Sequence, residues 1–144
     1  MNWKAEAMEK LQRYEAMRLA TINIPRELER LEIDLRSIRS ARSDATPVSG
    51  GGSKREDALL NNIIHRQELT RNLHQAQIWM EITDRALTAL SDEDKLVLQR
   101  LYLYPEQGAM ARLSEELGVD ASNIYRRRDR ALRRFTLAYY GLEA

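Results

Sequence analysis

The sequence contains no cysteine in its 144 residues, only three prolines, and 6% aromatic residues. The lack of cysteine excludes disulfides and thiolate metal sites and favours a reducing cytoplasmic setting. The few aromatic residues and prolines argue against a β-sandwich. No apolar run approaches the roughly 18 residues needed to span a membrane. The charged start, MNWKAEAMEK, lacks the apolar core of a signal peptide, so we expect a cytoplasmic protein without a membrane contact.

The residues that are present favour helices. Hydrophobic residues make up 43% and charged residues 31% of the chain, a balance that fits an all-α protein. We predict an N-terminal helical hairpin or bundle, a long connecting helix and a C-terminal helix-turn-helix domain. The expected boundaries are N-terminal helices over 1–42, a flexible linker or loop over 43–57, a long helix over 58–90, and a helix-turn-helix domain over 91–144.

Two helices are predicted in the N-terminal region. The first runs from about Trp3 to Leu19, and the second opens at Pro25, a favoured first-turn position. The apolar residues of the second helix recur at steps of three and four: Leu28, Leu31, Leu35 and Ile38. Such an a/d seam suits an antiparallel hairpin, a short coiled-coil contact with another chain, or an ordinary amphipathic helix in a bundle.

The stretch SDATPVSGGGSKRED is small, polar and rich in glycine, as linkers are. Its GGGSK motif has neither the spacing of a phosphate-binding loop nor a preceding strand, so no nucleotide site is expected. The helix that follows contains no glycine or proline up to residue 90. Its apolar positions are Leu60, Ile63, Ile64, Leu73, Met80 and Leu87.

The net charge of +1 hides a strong asymmetry. Between Glu81 and Asp120 there are nine acids and four bases, a net charge of −5. Between Ala121 and Arg134 six arginines stand against Asp129 alone, a net charge of +5. The acidic stretch contains a predicted helix that begins after Ser91, a good N-cap residue. The acids that follow Ser91 support this start, because acids are stabilised at the positive end of a helix dipole. Its expected buried residues are Leu96, Val97, Leu101 and Leu103.

The stretch LSEELGVDASNIYRRRDRALRRF has the order of a helix-turn-helix. A short helix over 110–117 ends at Gly118, and Asp120 is a good N-cap for a second helix from Ala121 to about Tyr140. At 100° per residue, one side of that helix is apolar, namely Ile124, Ala131, Leu132 and Phe135. Ser122, Arg126, Asp129 and Arg133 point the opposite way, with Asn123, Arg127, Arg130 and Arg134 on one flank and Tyr125 on the other.

In a helix-turn-helix the second helix enters the major groove, and its N-terminal residues meet base edges. Asparagine can bond adenine bidentately, arginine can bond guanine, and arginines farther along neutralise phosphates. The predicted DNA-binding residues are Ser122, Asn123, Tyr125, Arg126, Arg127, Arg130, Arg133, Arg134 and Arg112. A plainer alternative is a solvated arginine face, salt-bridged to Glu115, Glu116 and the acids near Asp92.

The stretches ALSDEDKLVLQRLYL and MARLSEELGVDASNIYRRRDRALRRF resemble region four of bacterial sigma factors. More closely, SNIYRRRDRALRRF and the helical N-terminal half resemble the ArpU/RinA-like regulators of late genes in phages and prophages of Gram-positive bacteria. The resemblance covers about residues 88–140 and implies a sigma-like DNA-binding domain that activates packaging or lysis operons. It also implies a DNA-facing set of Asn123, Tyr125, Arg126, Arg127 and Arg130.

We therefore expect a sequence-specific transcription regulator whose partner is double-stranded DNA. The N-terminal part is expected to supply dimerisation or to contact RNA polymerase, and a homo-oligomer, with a dimer favoured, is expected. The alternatives are a phage terminase small subunit that recognises packaging DNA and an interaction module that docks an acidic protein surface. No enzyme, metal or cofactor is expected. His65 and His74, the only histidines, lie about 180° apart on one helix and cannot share a metal ion there.

Overall fold

The computed structural model describes residues 2–40 and 51–142, and these two ranges contain helices and no strand. The predicted all-α class is confirmed. The helices are α1 (Trp3–Gln12), α2 (Tyr14–Ser40), α3 (Gly51–Thr88), α4 (Asp92–Leu98), α5 (Ala109–Leu117) and α6 (Ala121–Tyr139). A π-helical segment, Gln99–Leu103, continues α4.

The break between the first two helices lies at Arg13, not before Pro25. The prediction that a helix opens at Pro25 is therefore wrong, because this proline lies inside the 27-residue α2. Proline lacks one backbone donor, but its fixed φ is helical. Leucine, arginine and glutamate, all good helix formers, follow it and keep the helix continuous.

The predicted linker is shorter than expected at its C-terminal end. α3 begins at Gly51, so residues 51–57 are helical, while residues 43–50 of the predicted linker lie outside the described residues. The Arg55 guanidinium donates a hydrogen bond of 3.2 Å to the carbonyl of Ile38. This contact satisfies one of the last carbonyls of α2, which have no partner within their own helix.

The chain divides into two compact units. Unit 1 combines Met1–Arg18 with Ile78–Ala144, and unit 2 is Leu19–Gln77. The unit that contains the helix-turn-helix is therefore larger than the predicted range of 91–144. It includes α1, the first turn of α2 and the end of α3.

Unit 2 is a helical hairpin. Leu31 and Leu35 are buried and Leu28 and Ile38 are half-buried, so the predicted seam packs within the chain. The buried amide of Asn62 donates to the carbonyl of Leu31 at 2.8 Å. A buried polar pair of this kind favours one register of the two helices over its neighbours.

The core of unit 1 draws on both ends of the chain. Its buried cluster is Ala7, Leu11, Ala86, Leu90, Leu98, Tyr102, Leu103, Ala131, Leu132 and Phe135. α6 packs against α1, α4 and α5 around this cluster. The N-terminal helix is thus part of the same core as the predicted DNA-binding helix.

The buried residues of α4 and the π-helical segment differ in part from those expected. Leu96 and Leu101 were expected to be buried, but they are half-buried, while Leu98 and Tyr102 are buried instead. Val97 and Leu103 are buried as expected. Leu98 and Tyr102 belong to the cluster that also contains residues of α1, α3 and α6.

We expect Ile124→Asp to lower the free energy of unfolding by about 3–5 kcal/mol, because it places an uncompensated charge in a dry site. Ile124 is fully buried. Urea unfolding followed by far-UV circular dichroism measures the change. The control is Ala121→Asp, which adds the same charge at an exposed first-turn position of α6, where the helix dipole favours it. Equal unfolding curves for the two variants would contradict the burial of the apolar side of α6.

Candidate nucleic-acid interface

The turn between α5 and α6 has the predicted geometry. Gly118 has φ of 65°, a left-handed conformation that favours glycine. The Val119 N–H donates to the Ser114 carbonyl at 3.1 Å, and the Ser114 hydroxyl donates back to the Val119 carbonyl. These two bonds fix the direction in which the chain leaves α5.

Asp120 is the N-cap of α6, as predicted. Its carboxylate accepts from the backbone N–H of Asn123 at 2.9 Å and from the hydroxyl of Ser122 at 2.8 Å. These hydrogen bonds hold the pKa of Asp120 below its usual range. The hydroxyl proton of Ser122, a predicted DNA-binding residue, is therefore directed at the cap.

The apolar side of α6 is buried as predicted. Ile124, Ala131, Leu132 and Phe135 are all fully buried. The rotation of α6 about its axis is set by these four side chains, because no other orientation removes them from water.

Three of the six arginines in the run lie on the outward side of α6. Arg126, Arg130 and Arg133 are exposed. They occupy positions i, i+4 and i+7, which form one stripe spanning about 10 Å of helix. None of them has a hydrogen bond or an ion pair with another described residue. We call these three residues the arginine stripe.

Arg127 is held by an acid of α4 and is in turn bonded to Asn123. The Arg127 guanidinium contacts the carboxylate of Glu93, and its Nε donates to Oδ1 of Asn123 at 2.6 Å. Both predicted DNA-binding residues are half-buried. Arg127 therefore orients the Asn123 amide, which retains its NH2 group and one acceptor lone pair of Oδ1 for another partner.

Arg134 supports the core and does not belong to the arginine stripe. It pairs with Asp94 at 2.7 Å, and the Asp94 side chain is only 2% exposed. A buried carboxylate needs this counter-charge, because an unpaired charge in the interior is strongly unfavourable.

Arg112, predicted from α5, pairs with Glu106 at 2.6 Å on the surface. The plainer alternative thus holds for part of the run: two arginines of α6 are bound to the acids after Ser91.

Sequence reasoning missed a residue of α1 that reaches α6. The Lys4 ammonium binds Asp129 at 3.0 Å. Burial raises the pKa of Asp129, but hydrogen bonds from Lys4 and Arg128 outweigh that effect and hold it below its usual range. The only signal in the sequence was Asp129 itself, the one acid within the arginine run.

The histidines and the acidic side chains of the described residues do not gather at one place. His65 and His74 are both exposed, and no group of three or more metal-ligating side chains occurs in residues 2–40 and 51–142. Within the same ranges, no helix is both long and apolar enough to cross a membrane. No protein-family model matches the chain, and comparisons with curated proteins and with solved structures give no significant match.

Arg134→Ala is expected to lower the free energy of unfolding by about 2–3 kcal/mol, because it leaves Asp94 buried without a counter-charge. Arg133→Ala, at the neighbouring exposed position, is the matched control and should change it by less than about 0.5 kcal/mol. Chemical denaturation of both variants at one salt concentration makes the comparison. Similar losses in the two would show that Arg134 does not support the core.

Proposed function

We propose that the protein binds double-stranded DNA in a sequence-specific manner and regulates transcription, with α6 in the major groove. The observation that carries this proposal is the arginine stripe. It lies on the side of α6 that faces away from the core, directly after a helix-turn-helix turn. In known helix-turn-helix proteins this side of the second helix meets the groove.

The residues of α6 divide by position into base readers and phosphate contacts. Arg126 is near the N-terminal end of α6, where base edges are reached, and its guanidinium suits the two acceptors of guanine. Asn123 is held with its amide group partly free and suits adenine. Arg130 and Arg133, farther along the stripe, suit phosphates, which supply affinity without sequence information.

A more specific assignment, control of phage or prophage late genes, rests on the sequence resemblance alone. The stretch SNIYRRRDRALRRF and the turn before it resemble the ArpU/RinA-like regulators and region four of sigma factors. On this basis RNA polymerase is the second partner we propose.

We further propose that unit 2 pairs two copies of the chain. Its α3 exposes Leu60 by 56% and Ile64 by 52%, at positions i and i+4 of one face. A dimer would bind two half-sites separated by one turn of DNA or a multiple, about 34 Å each. Light scattering gives the mass and separates a dimer from the ring expected of a terminase small subunit.

A second candidate partner is an acidic protein surface. The two arginines of α6 bound to acids of α4 show that this helix accepts carboxylates as partners. The arginine stripe would then meet carboxylates of another protein instead of phosphates. Binding to random duplex DNA, measured across salt concentrations, separates the two candidates.

For Arg126→Ala we expect a loss of about 1–3 kcal/mol in specific binding and a weakened preference at one base pair. The reason is the loss of two directed hydrogen bonds to a base. Fluorescence anisotropy on duplexes selected from a random pool, and on their single-base variants, measures it. An equal loss on all duplexes would make Arg126 a phosphate contact.

We expect the logarithm of the DNA affinity to fall linearly with the logarithm of salt concentration, by about 0.9 for each phosphate neutralised. Arg133→Ala should reduce this slope by about 1. Arg13→Ala removes the same charge from an exposed arginine outside α6 and should leave the slope unchanged. A slope near zero for the unmodified protein would favour the acidic-protein partner.

A further inference from the structure

An ordered chain of charged groups leads from α1 to an aromatic ring on α6. Lys4 occupies one carboxylate oxygen of Asp129 at 3.0 Å, and Arg128 occupies the other at 3.0 and 3.2 Å. The Arg128 guanidinium carbon lies 5.0 Å from the centre of the Tyr125 ring, within the range of a cation–π contact.

Arg128 is also held from the core side. Burial raises the pKa of the Tyr102 phenol, and the neighbouring Arg128 guanidinium opposes part of that shift. Two hydrogen bonds to Asp129 and a side chain that is only 27% exposed restrict the motion of Arg128.

Tyr125 nevertheless remains open to a partner. The residue is 49% exposed even with the Arg128 guanidinium over its ring. The residue belongs to the second turn of α6, in the N-terminal part that meets base edges in a helix-turn-helix complex. A tyrosine at such a position offers a rigid apolar ring face and a polar hydroxyl to a partner.

We propose that Tyr125 is a specificity-determining residue that recognises the C5-methyl group of a thymine. Thymine is the one base that presents a methyl group in the major groove, and apolar side-chain atoms are its natural contact. Lys4 of α1 takes part indirectly, because it fixes the Asp129–Arg128 pair that holds the ring. This inference rests on the proposed DNA binding by α6.

The test replaces each thymine of a duplex selected from a random pool with deoxyuridine, which removes only the methyl group. With the unmodified protein we expect one position of each half-site to lose about three- to fivefold in affinity, the effect of one buried methyl group. Tyr125→Ala should abolish this discrimination, and Tyr125→Phe, which keeps the ring, should preserve it.

The role of α1 is tested by Lys4→Gln against Arg13→Gln, which removes the same charge elsewhere in the N-terminal segment. Lys4→Gln should reduce the methyl discrimination by at least half, Lys4→Arg should restore it, and Arg13→Gln should leave it unchanged. If Lys4→Gln discriminates thymine from deoxyuridine as well as the unmodified protein does, α1 plays no part in holding the Tyr125 ring.

The outcomes separate the two levels of inference. If the unmodified protein selects no duplex and shows no salt-dependent DNA binding, the proposed function is wrong and the role of Tyr125 with it. If a site is selected but contains no thymine with a methyl effect, or if that effect survives in Tyr125→Ala, only the role of Tyr125 is overturned. If Tyr125→Phe loses the same affinity on every duplex and no thymine shows a methyl effect, the Tyr125 hydroxyl contacts a phosphate and the proposed methyl contact is overturned.

Discussion

The burial of one side of α6 is the constraint on which the rest of unit 1 depends. Ile124, Ala131, Leu132 and Phe135 leave no accessible surface, and they lie within one arc of the helix. Once this arc is fixed, the direction of every other side chain of α6 follows from the 100° step. The capped start at Asp120 fixes the remaining freedom, which is the position of the helix along its own axis.

This constraint separates the six arginines of the run by their partners. Arg127 and Arg134 reach acids of α4, and Arg134 neutralises a carboxylate that is almost fully buried. Arg128 pairs with Asp129 of α6 itself. Those on the outer side, the arginine stripe, make no hydrogen bond or ion pair with another described residue, although Arg126 interacts electrostatically with the Asp120 carboxylate. Like charges one and two turns apart on a helix repel one another, so the stripe adds little to the stability of the fold.

Much of this could be predicted from the sequence, because it depends on local rules. The left-handed Gly118, the cap at Asp120 and the apolar side of α6 each follow from a residue type at a given spacing. Contacts between distant residues could not be predicted in this way. Lys4 and Asp129 are 125 positions apart, so no short stretch of sequence shows that they meet. The burial of Leu98 and Tyr102 in place of Leu96 and Leu101 likewise depends on the packing of the whole core cluster.

The assembly of unit 1 from two distant segments has a consequence for its folding. Ala7 and Leu11 of α1 share one buried cluster with Ala131, Leu132 and Phe135 of α6. Unit 2 lies between these segments in sequence, so once it has formed it shortens the effective loop that must close and lowers the entropic cost of joining them. Removal of α1 would therefore expose part of the core against which α6 packs, more than a hundred positions away in sequence.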